Sequence, residues 1–184
     1  MPLTVAIIGA GPLGRRLAAS AARAGCRVFL EDVMPANLEH AREAVRQELN
    51  ADVLSSETGG GVAFVSTIED AVREADLAID CVPDELESKL EIFWLLDRMS
   101  PPRTVFATPT TQLSISDLGS CTYRAAKCIA IAVSPVELAG LTANEGVEIA
   151  LRAAQATSPE TVALVEGFWR SLGFTPTVLD ASVA

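Results

Sequence analysis

Three glycines near the start of the chain have the types and spacing that could hold the phosphates of a dinucleotide. The segment GAGPLG at positions 9–14 follows the apolar run at positions 3–8 and begins an amphipathic helix. Gly9 permits a tight turn, Gly11 lets the backbone approach a pyrophosphate, and Gly14 lets the helix pack closely on the sheet. The helix N-terminus offers unpaired N–H groups and a positive dipole end to phosphate. The residues predicted to contact the dinucleotide here are Gly9, Gly11, Pro12, Leu13 and Gly14.

A carboxylate at the end of the next apolar run indicates which dinucleotide is bound. Asp32 lies 18 residues beyond Gly14. A carboxylate at this point accepts hydrogen bonds from ribose hydroxyls and repels the additional phosphate of NADP. No Lys or Arg occurs at positions 33–36 to receive that phosphate. The sequence therefore predicts NAD on Asp32, with Glu31 as the competing residue for this role or else a solvated strand end.

The elements that must position these residues alternate along the chain as short apolar strands and amphipathic helices. This alternation is typical of an α/β fold with a doubly wound, mostly parallel Rossmann sheet and helices on both faces. We expect residues 1–184 to form a single domain of this kind. Thr67 is the predicted N-cap of one helix, and the segment 158–160 is predicted to begin the last helix, with Pro159 in its first turn. The predicted strands are Thr4–Ile8, Arg27–Glu31, Val62–Val65, Leu77–Val82, Thr104–Ala107, Cys128–Val133, Gly146–Leu151 and Thr175–Leu179.

The amino-acid composition excludes several classes of protein. Hydrophobic residues make up 49% of the 184 positions, enough for a buried parallel sheet and incompatible with a disordered chain. The formal net charge of −10 argues against nucleic-acid or anionic-membrane partners, which a negative chain repels. Four cysteines without CxxC spacing, and a single histidine, predict no metal site. With no secretion signal and no long apolar run, we expect a cytoplasmic protein with reduced thiols.

Three segments together resemble a known family. They are VPDELESK at positions 82–89, VFATPTTQLSI at positions 105–115, and SPV at positions 134–136. These segments, with the glycine fingerprint, are similar to the NAD-binding N-terminal domain of the 3-hydroxyacyl-CoA dehydrogenases, and the resemblance covers nearly the whole chain. It implies an NAD cofactor and an oxidoreductase reaction on a hydroxyacyl substrate.

The resemblance also assigns residues to the nicotinamide end of the cofactor. Asp84 matches the family's acid beside the nicotinamide ribose, and Lys89 matches the lysine that reaches toward the same end. Thr111 matches a serine that meets the substrate's hydroxyl or carbonyl, whereas Pro109 replaces the family's asparagine. Outside the resemblance, Asp84 would be a helix-starting acid and Lys89 a solvated lysine. The further cofactor-binding residues implied by the resemblance are Val82, Pro83, Asp84, Lys89 and Thr111.

The residues expected for catalysis depart from the family pattern. Alcohol oxidation needs a group that takes the hydroxyl proton, and the family uses a histidine for this. That histidine falls at Ile131 or Ala132, while its glutamate partner matches Glu148. His40, the one histidine present, is predicted on the adenosine side of the cofactor. Loss of the base typically lowers the rate by about 10²–10⁴. The weak candidates for catalysis are Thr111, Lys89 and Glu148, with Tyr123 as a further possible base.

Two functions remain open on the sequence. The first is an NAD(H)-binding protein that resembles the family's cofactor domain, lacks the C-terminal helical domain, and is not competent alone for hydroxyacyl-CoA oxidation. The second is an NAD-dependent oxidoreductase that acts on a 3-hydroxyacyl-CoA or a smaller hydroxy acid with a site completed by another chain. A fold that has lost its ligand is disfavoured by the intact glycines and Asp32. Self-association is compatible with either function.

Overall fold

The computed structural model describes residues 2–49, 61–142 and 146–179, and its contacts divide the chain into two compact units. The first unit comprises Met1–Val82 and Met99–Thr104, and the second comprises Pro83–Arg98 and Val105–Ala184. The units are described separately below. The single-domain organisation stays a prediction.

The first unit contains four parallel strands in the order β3-β2-β1-β4. Every residue of β1 is buried, which explains its uninterrupted apolar sequence. β1 lies between β2 and β4. The chain therefore passes from β1 to the strands on one side of it, and later adds β4 on its other side. The carboxyl end of β1 is therefore a topological switch point, where open α/β sheets bind their ligands. The elements are β1 (Thr4–Ile8), α1 (Pro12–Arg23), β2 (Arg27–Glu31), α2 (Pro35–Glu48), β3 (Gly61–Val65), α3 (Ile68–Val72) and β4 (Leu77–Asp80).

Local sequence explains where the helices of the first unit begin and end. Pro12 occupies the first turn of α1, where a missing N–H breaks no helical hydrogen bond. The helix ends before Gly25, whose φ of +85° favours glycine. Thr67 caps α3 by accepting a hydrogen bond from the Asp70 N–H at 3.2 Å, as predicted, and its hydroxyl donates to the Asp70 carboxylate at 2.7 Å.

The second unit contains strands in the order β5-β6-β7-β8, of which β6 and β7 pair antiparallel while the other neighbours are parallel. Its core includes an edge-to-face contact between Phe93 and Phe106 and a cluster of Phe168, Trp169 and Phe174. The elements are α4 (Leu86–Met99), β5 (Val105–Pro109), α5 (Ile115–Ser120), a short 3₁₀ turn (Ala125–Lys127), β6 (Cys128–Ile131), α6 (Pro135–Gly140), β7 (Glu148–Ala153), α7 (Pro159–Ser171) and β8 (Thr175–Leu179).

The predicted fold class, a mostly parallel Rossmann-type α/β fold, is confirmed. Each predicted strand is present, with ends displaced by no more than two residues. The strand predicted from Gly146 begins at Glu148 instead, because Gly146 has a φ of +94° that no strand residue adopts. Within the described ranges no helix is both long and apolar enough to cross a membrane. The same ranges hold no group of three or more metal-binding side chains.

Candidate cofactor site

The turn after β1 is built from glycines that are required for two different reasons. Gly9 has a φ of +102°, and a Cβ there would lie 3.3 Å from the carbonyl carbon and oxygen of Cys81. At Gly14 a Cβ would lie 1.9 Å from the carbonyl oxygen of Gly9, so α1 packs against the turn at a distance that only glycine permits. Gly9 donates its N–H to the carbonyl oxygen of Glu31 at 2.9 Å. Backbone sterics therefore fix the path of this turn.

Gly11 is different, because neither its conformation nor its neighbours require glycine. Its φ of −67° and ψ of −174° are accessible to any residue, and a Cβ there would meet no described atom within 4 Å. Gly11 is the N-cap of α1, where unpaired N–H groups face outward and no side chain caps them. The open space beside it fits a phosphate group that must approach the helix N-terminus closely.

Asp32 follows β2 and is tied to the glycine turn. Its Oδ2 accepts the Ala10 N–H at 2.9 Å, and its Oδ1 accepts the Met34 N–H at 2.8 Å. The Asn37 amide lies 3.1 Å from both oxygens. These donors hold the carboxylate at the rim of the turn, where it is half-buried and reachable by a ligand. Nothing in its sequence position predicted the roles of Ala10 and Asn37, which follow from the way α1 and α2 begin beside β2.

Glu31 is placed differently from its neighbour. Its side chain is 6% exposed, so the alternative of a solvated strand end is wrong. Burial raises the pKa of the Glu31 carboxyl to about 7, and the charge of Asp32 adds to this shift. Because Asp32 is the more accessible residue and contacts the glycine turn, it is the better ribose ligand of the two. The assignment of that role to Asp32 stays a prediction.

Two exposed apolar side chains lie immediately after Asp32 and were not predicted as part of the site. Val33 is 76% exposed and Met34 is 56% exposed. Large apolar groups with this exposure, next to the carboxylate that is predicted to bind ribose, offer a surface on which a flat aromatic base can pack. Their order in the sequence, two apolar residues directly after the strand-end acid, is the signal that could have identified them.

The residues at the end of β4 lie beside the glycine turn of the first unit. Cys81 donates its N–H to the Ile8 carbonyl at 2.8 Å, and Val82 donates its N–H to the Asp80 carboxylate at 3.0 Å. A Cβ on Gly9 would lie 3.6 Å from the Val82 nitrogen. The structure therefore brings Val82 beside the glycine turn, where the sequence predicted a cofactor contact.

On the second unit, Lys89 and Asp84 are the predicted residues with unusual environments. Lys89 is fully buried in α4 and donates from Nζ to the Thr108 hydroxyl on β5 at 2.8 Å. The alternative of a solvated lysine is wrong. Asp84 Oδ1 is buried and has no hydrogen-bond partner. A buried carboxylate oxygen that accepts no hydrogen bond from any described residue is unfavourable, and its role in binding the cofactor stays a prediction.

Thr111 lies in the turn after β5 and is exposed. The neighbouring Thr110 is buried, and its hydroxyl accepts the Gln112 and Leu113 N–H groups at 3.3 and 3.0 Å. This arrangement holds the turn and leaves the Thr111 hydroxyl accessible. Pro109 ends β5 in a buried position and supplies no N–H donor at the place of the family's asparagine.

The positions that match the family's histidine carry no proton acceptor. Ile131 is fully buried at the end of β6, and Ala132 donates its N–H to the Ala150 carbonyl at 2.8 Å. β6 and β7 pair antiparallel, with Ile131 opposite Leu151. In this register the exposed Glu148 lies beyond the carboxyl end of β6. The predicted partner glutamate thus lies at the expected edge of this unit, with no histidine to orient.

Two other residues considered as bases have solvated positions. Tyr123 is fully exposed, and its main-chain N–H donates to the buried Asp97 carboxylate at 3.1 Å. His40 is exposed on α2 of the first unit. Neither lies in a pocket that would exclude water from a reaction.

Comparisons with known proteins agree with this geometry. A family model described as the NAD-binding domain of 3-hydroxyacyl-CoA dehydrogenase matches residues 4–182. The chain is 32% identical to 5-formyl-3-hydroxy-2-methylpyridine 4-carboxylate 5-dehydrogenase of Mesorhizobium japonicum, covering 97% of this chain and 58% of that protein. It is 30% identical to L-carnitine dehydrogenase of Burkholderia mallei, covering 94% of this chain and 53% of that protein.

Solved structures give the same result. A crystal structure of the first of these activities, described as an NAD⁺-dependent dismutase, superposes with a TM-score of 0.82 at 30% identity, covering 98% of this chain and 59% of that one. The (S)-3-hydroxybutyryl-CoA dehydrogenase of Ralstonia eutropha superposes with the same TM-score at 24% identity, which shows the fold, covering 99% of this chain and 65% of that one. The chain spans a little over half the length of the relatives it matches.

Proposed function

Because this chain belongs to the family of NAD-binding domains of 3-hydroxyacyl-CoA dehydrogenases, we propose that its glycine turn and Asp32 hold the AMP half of NAD(H). The pyrophosphate would lie at the N-terminus of α1 beside Gly11. The ribose hydroxyls would donate to Asp32, and the adenine would pack on Val33 and Met34. This assignment rests on one observation: the space beside Gly11 is open, and no contact within the protein requires a glycine at this position.

Residues of the second unit are suited to the nicotinamide half. The unpartnered Asp84 Oδ1 is an acceptor for a ribose hydroxyl, as the resemblance implies. Lys89 Nζ is a buried donor already oriented by Thr108. When bound, NAD supplies the hydride acceptor for oxidation of an alcohol. These residues would bind and orient it.

We further propose that the domain alone does not oxidise 3-hydroxyacyl-CoA. Hydride transfer from an alcohol requires a base for the hydroxyl proton, and apolar residues occupy the positions of the family's histidine. Lys89 is a poor replacement, since its Nζ already donates to Thr108 and the acidic Asp84 is close in sequence. Glu148 has no imidazole to orient.

The alternative is an oxidoreductase whose base comes from another chain. The accessible hydroxyl of Thr111 favours it, because that group matches the family's substrate-contacting serine. The relatives named above are dehydrogenases of a pyridine carboxylate and of carnitine, which are smaller than an acyl-CoA. A small hydroxy acid is the substrate class that this alternative would take.

Calorimetric titration of the full chain with NAD, NADH and NADP tests the cofactor assignment. We expect NAD and NADH to bind and NADP to bind at least tenfold more weakly, because Asp32 repels the extra phosphate. Acetoacetyl-CoA is then added to the NADH complex, and turnover is measured with a panel of hydroxy acids and acyl-CoAs. Absence of coupling and turnover supports the first function, whereas turnover supports the second. If none of the three nucleotides binds, both are refuted.

A further inference from the structure

Glu31 is a buried carboxyl group beside the cofactor turn that the proposed function does not use. It ends β2, where its register partners on the neighbouring strands are Ile8 and Val65. Both partners are apolar, so these strands offer the carboxylate no donor side chain. Side chains alternate along a strand, so Glu31 and Asp32 point to opposite faces of the sheet.

The main chain of Glu31 is part of the site itself. Its carbonyl oxygen accepts a hydrogen bond from the Gly9 N–H at 2.9 Å. The N–H of the next residue, Ala10, donates to the Asp32 carboxylate. A ligand phosphate held at this turn would therefore lie near the end of β2 that carries the buried Glu31 side chain. Since protein screens charge less than bulk water does, an added negative charge at the turn disfavours the ionised form of Glu31.

The charged groups on the surrounding elements include one that acts on the Glu31 carboxyl. Asp32 is the charged neighbour that acts on Glu31, and it acts in the same direction as burial. On the same face, the next carboxylate is Asp80, two strands away, which accepts the Val82 N–H. Further along β2, Arg27 is already paired with Glu74. The other charged groups on the elements packed against β2 are Arg15, Arg16 and Arg23 on α1, and Glu69, Asp70 and the adjoining Arg73 at α3.

We propose that Glu31 couples cofactor binding to pH: binding of NAD(H) increases the protonated fraction of the Glu31 carboxyl group, with uptake of protons from solvent, so the cofactor binds more tightly at mildly acidic than at alkaline pH. This inference rests on the proposed binding of NAD(H) at the glycine turn. The direction follows from linkage, because a ligand that raises the pKa of a group binds better where that group is protonated. In the free protein the Glu31 carboxyl changes charge close to neutrality, within the range over which the effect is measurable.

The test is calorimetric titration of the full chain with NADH from about pH 6 to about pH 8.5. We expect the dissociation constant to rise by about three- to tenfold across this range, which corresponds to a shift of up to about one pKa unit on binding. Titration in two buffers with different ionisation enthalpies should show uptake of up to about half a proton per cofactor near neutral pH. This measurement requires no variant.

Two variants test whether Glu31 is the group responsible for the pH dependence. Glu31→Gln should bind NADH with an affinity independent of pH, close to that of the wild type at the acidic end. His40→Gln, on the exposed face of α2, should keep the wild-type profile. A flat wild-type profile, an unchanged profile in Glu31→Gln, or a profile flattened by His40→Gln would each overturn the inference while leaving NAD binding intact. Absence of NADH binding at every pH would instead refute the proposed function.

Discussion

Replacing Gly11 with alanine should separate cofactor binding from folding. The backbone at Gly11 has a φ of −67° and a ψ of −174°, which alanine adopts without strain, and its Cβ would meet no described atom within 4 Å. A glycine-to-alanine change at such a position reduces the freedom of the unfolded chain. Alanine is, however, a poorer N-cap than glycine, so the two effects oppose each other and we expect Gly11→Ala to change the free energy of unfolding by less than about 1 kcal/mol.

The same methyl group should block the pyrophosphate. It would occupy the space through which a phosphate approaches the N–H groups at the start of α1. Hydrogen bonds from N–H groups to a charged phosphate contribute about 1.5–3 kcal/mol each. Loss of two of them lowers the affinity for NADH by about 3–6 kcal/mol, or at least a hundredfold.

The assay pairs calorimetric titration with thermal unfolding in the absence of cofactor. Gly167→Ala is a matched control, because Gly167 lies inside α7 of the second unit and a Cβ there also meets nothing within 4 Å. The control should gain about 0.5–1 kcal/mol of stability and bind NADH normally. If Gly11→Ala binds NADH as the wild type does, the pyrophosphate does not lie at this turn. If it unfolds at a markedly lower temperature, Gly11 has a structural role that the geometry does not show.

Three further predictions concern the same turn. Gly14→Ala should lower the free energy of unfolding by about 1–3 kcal/mol in chemical denaturation, since its Cβ would lie 1.9 Å from the Gly9 carbonyl oxygen; an unchanged midpoint would contradict the packing described for α1. Asp32→Asn should weaken NAD binding in calorimetry by about 1.5–3 kcal/mol and narrow its preference over NADP; equal affinity for NAD would place the ribose elsewhere. Glu31→Gln should change the pH dependence of stability. The folded-state pKa of about 7 exceeds the reference value of 4.5, so the wild type loses stability as pH rises between these values. Denaturation should then show the variant more stable by up to about 3 kcal/mol at pH 8 and no more stable at pH 4, and a constant difference would refute the assignment.

Features set by local sequence were predicted well. The alternation of apolar runs and amphipathic helices identified the eight strands among the described residues. Thr67 was correctly identified as an N-cap and Pro159 as a residue of the first turn of the last helix, because both depend on residues within one helical turn. The glycine spacing also implied close packing at Gly9 and Gly14, which the backbone distances confirm.

The environments of individual polar side chains were not predictable in this way. A glutamate at a strand end can be solvated or buried, and Glu31 is buried at the end of β2, between Ile8 of β1 and Val65 of β3. From the sequence, Lys89 could also have been a solvated helix residue. In the structure its Nζ lies 2.8 Å from the Thr108 hydroxyl. Tyr123, considered as a base, proved fully exposed.

The sequence by itself determined the strand and helix order, the glycine turn and the acid that follows it, because periodicity and backbone sterics act over a few residues. Only the tertiary structure decided which carboxylates are accessible, which are buried, and which lack a partner. Burial and charge depend on elements distant in sequence, as with Asp32 beside Ala10 and Lys89 beside Thr108. The chemistry open to each titratable group therefore follows from packing between elements, which no local pattern in the chain records.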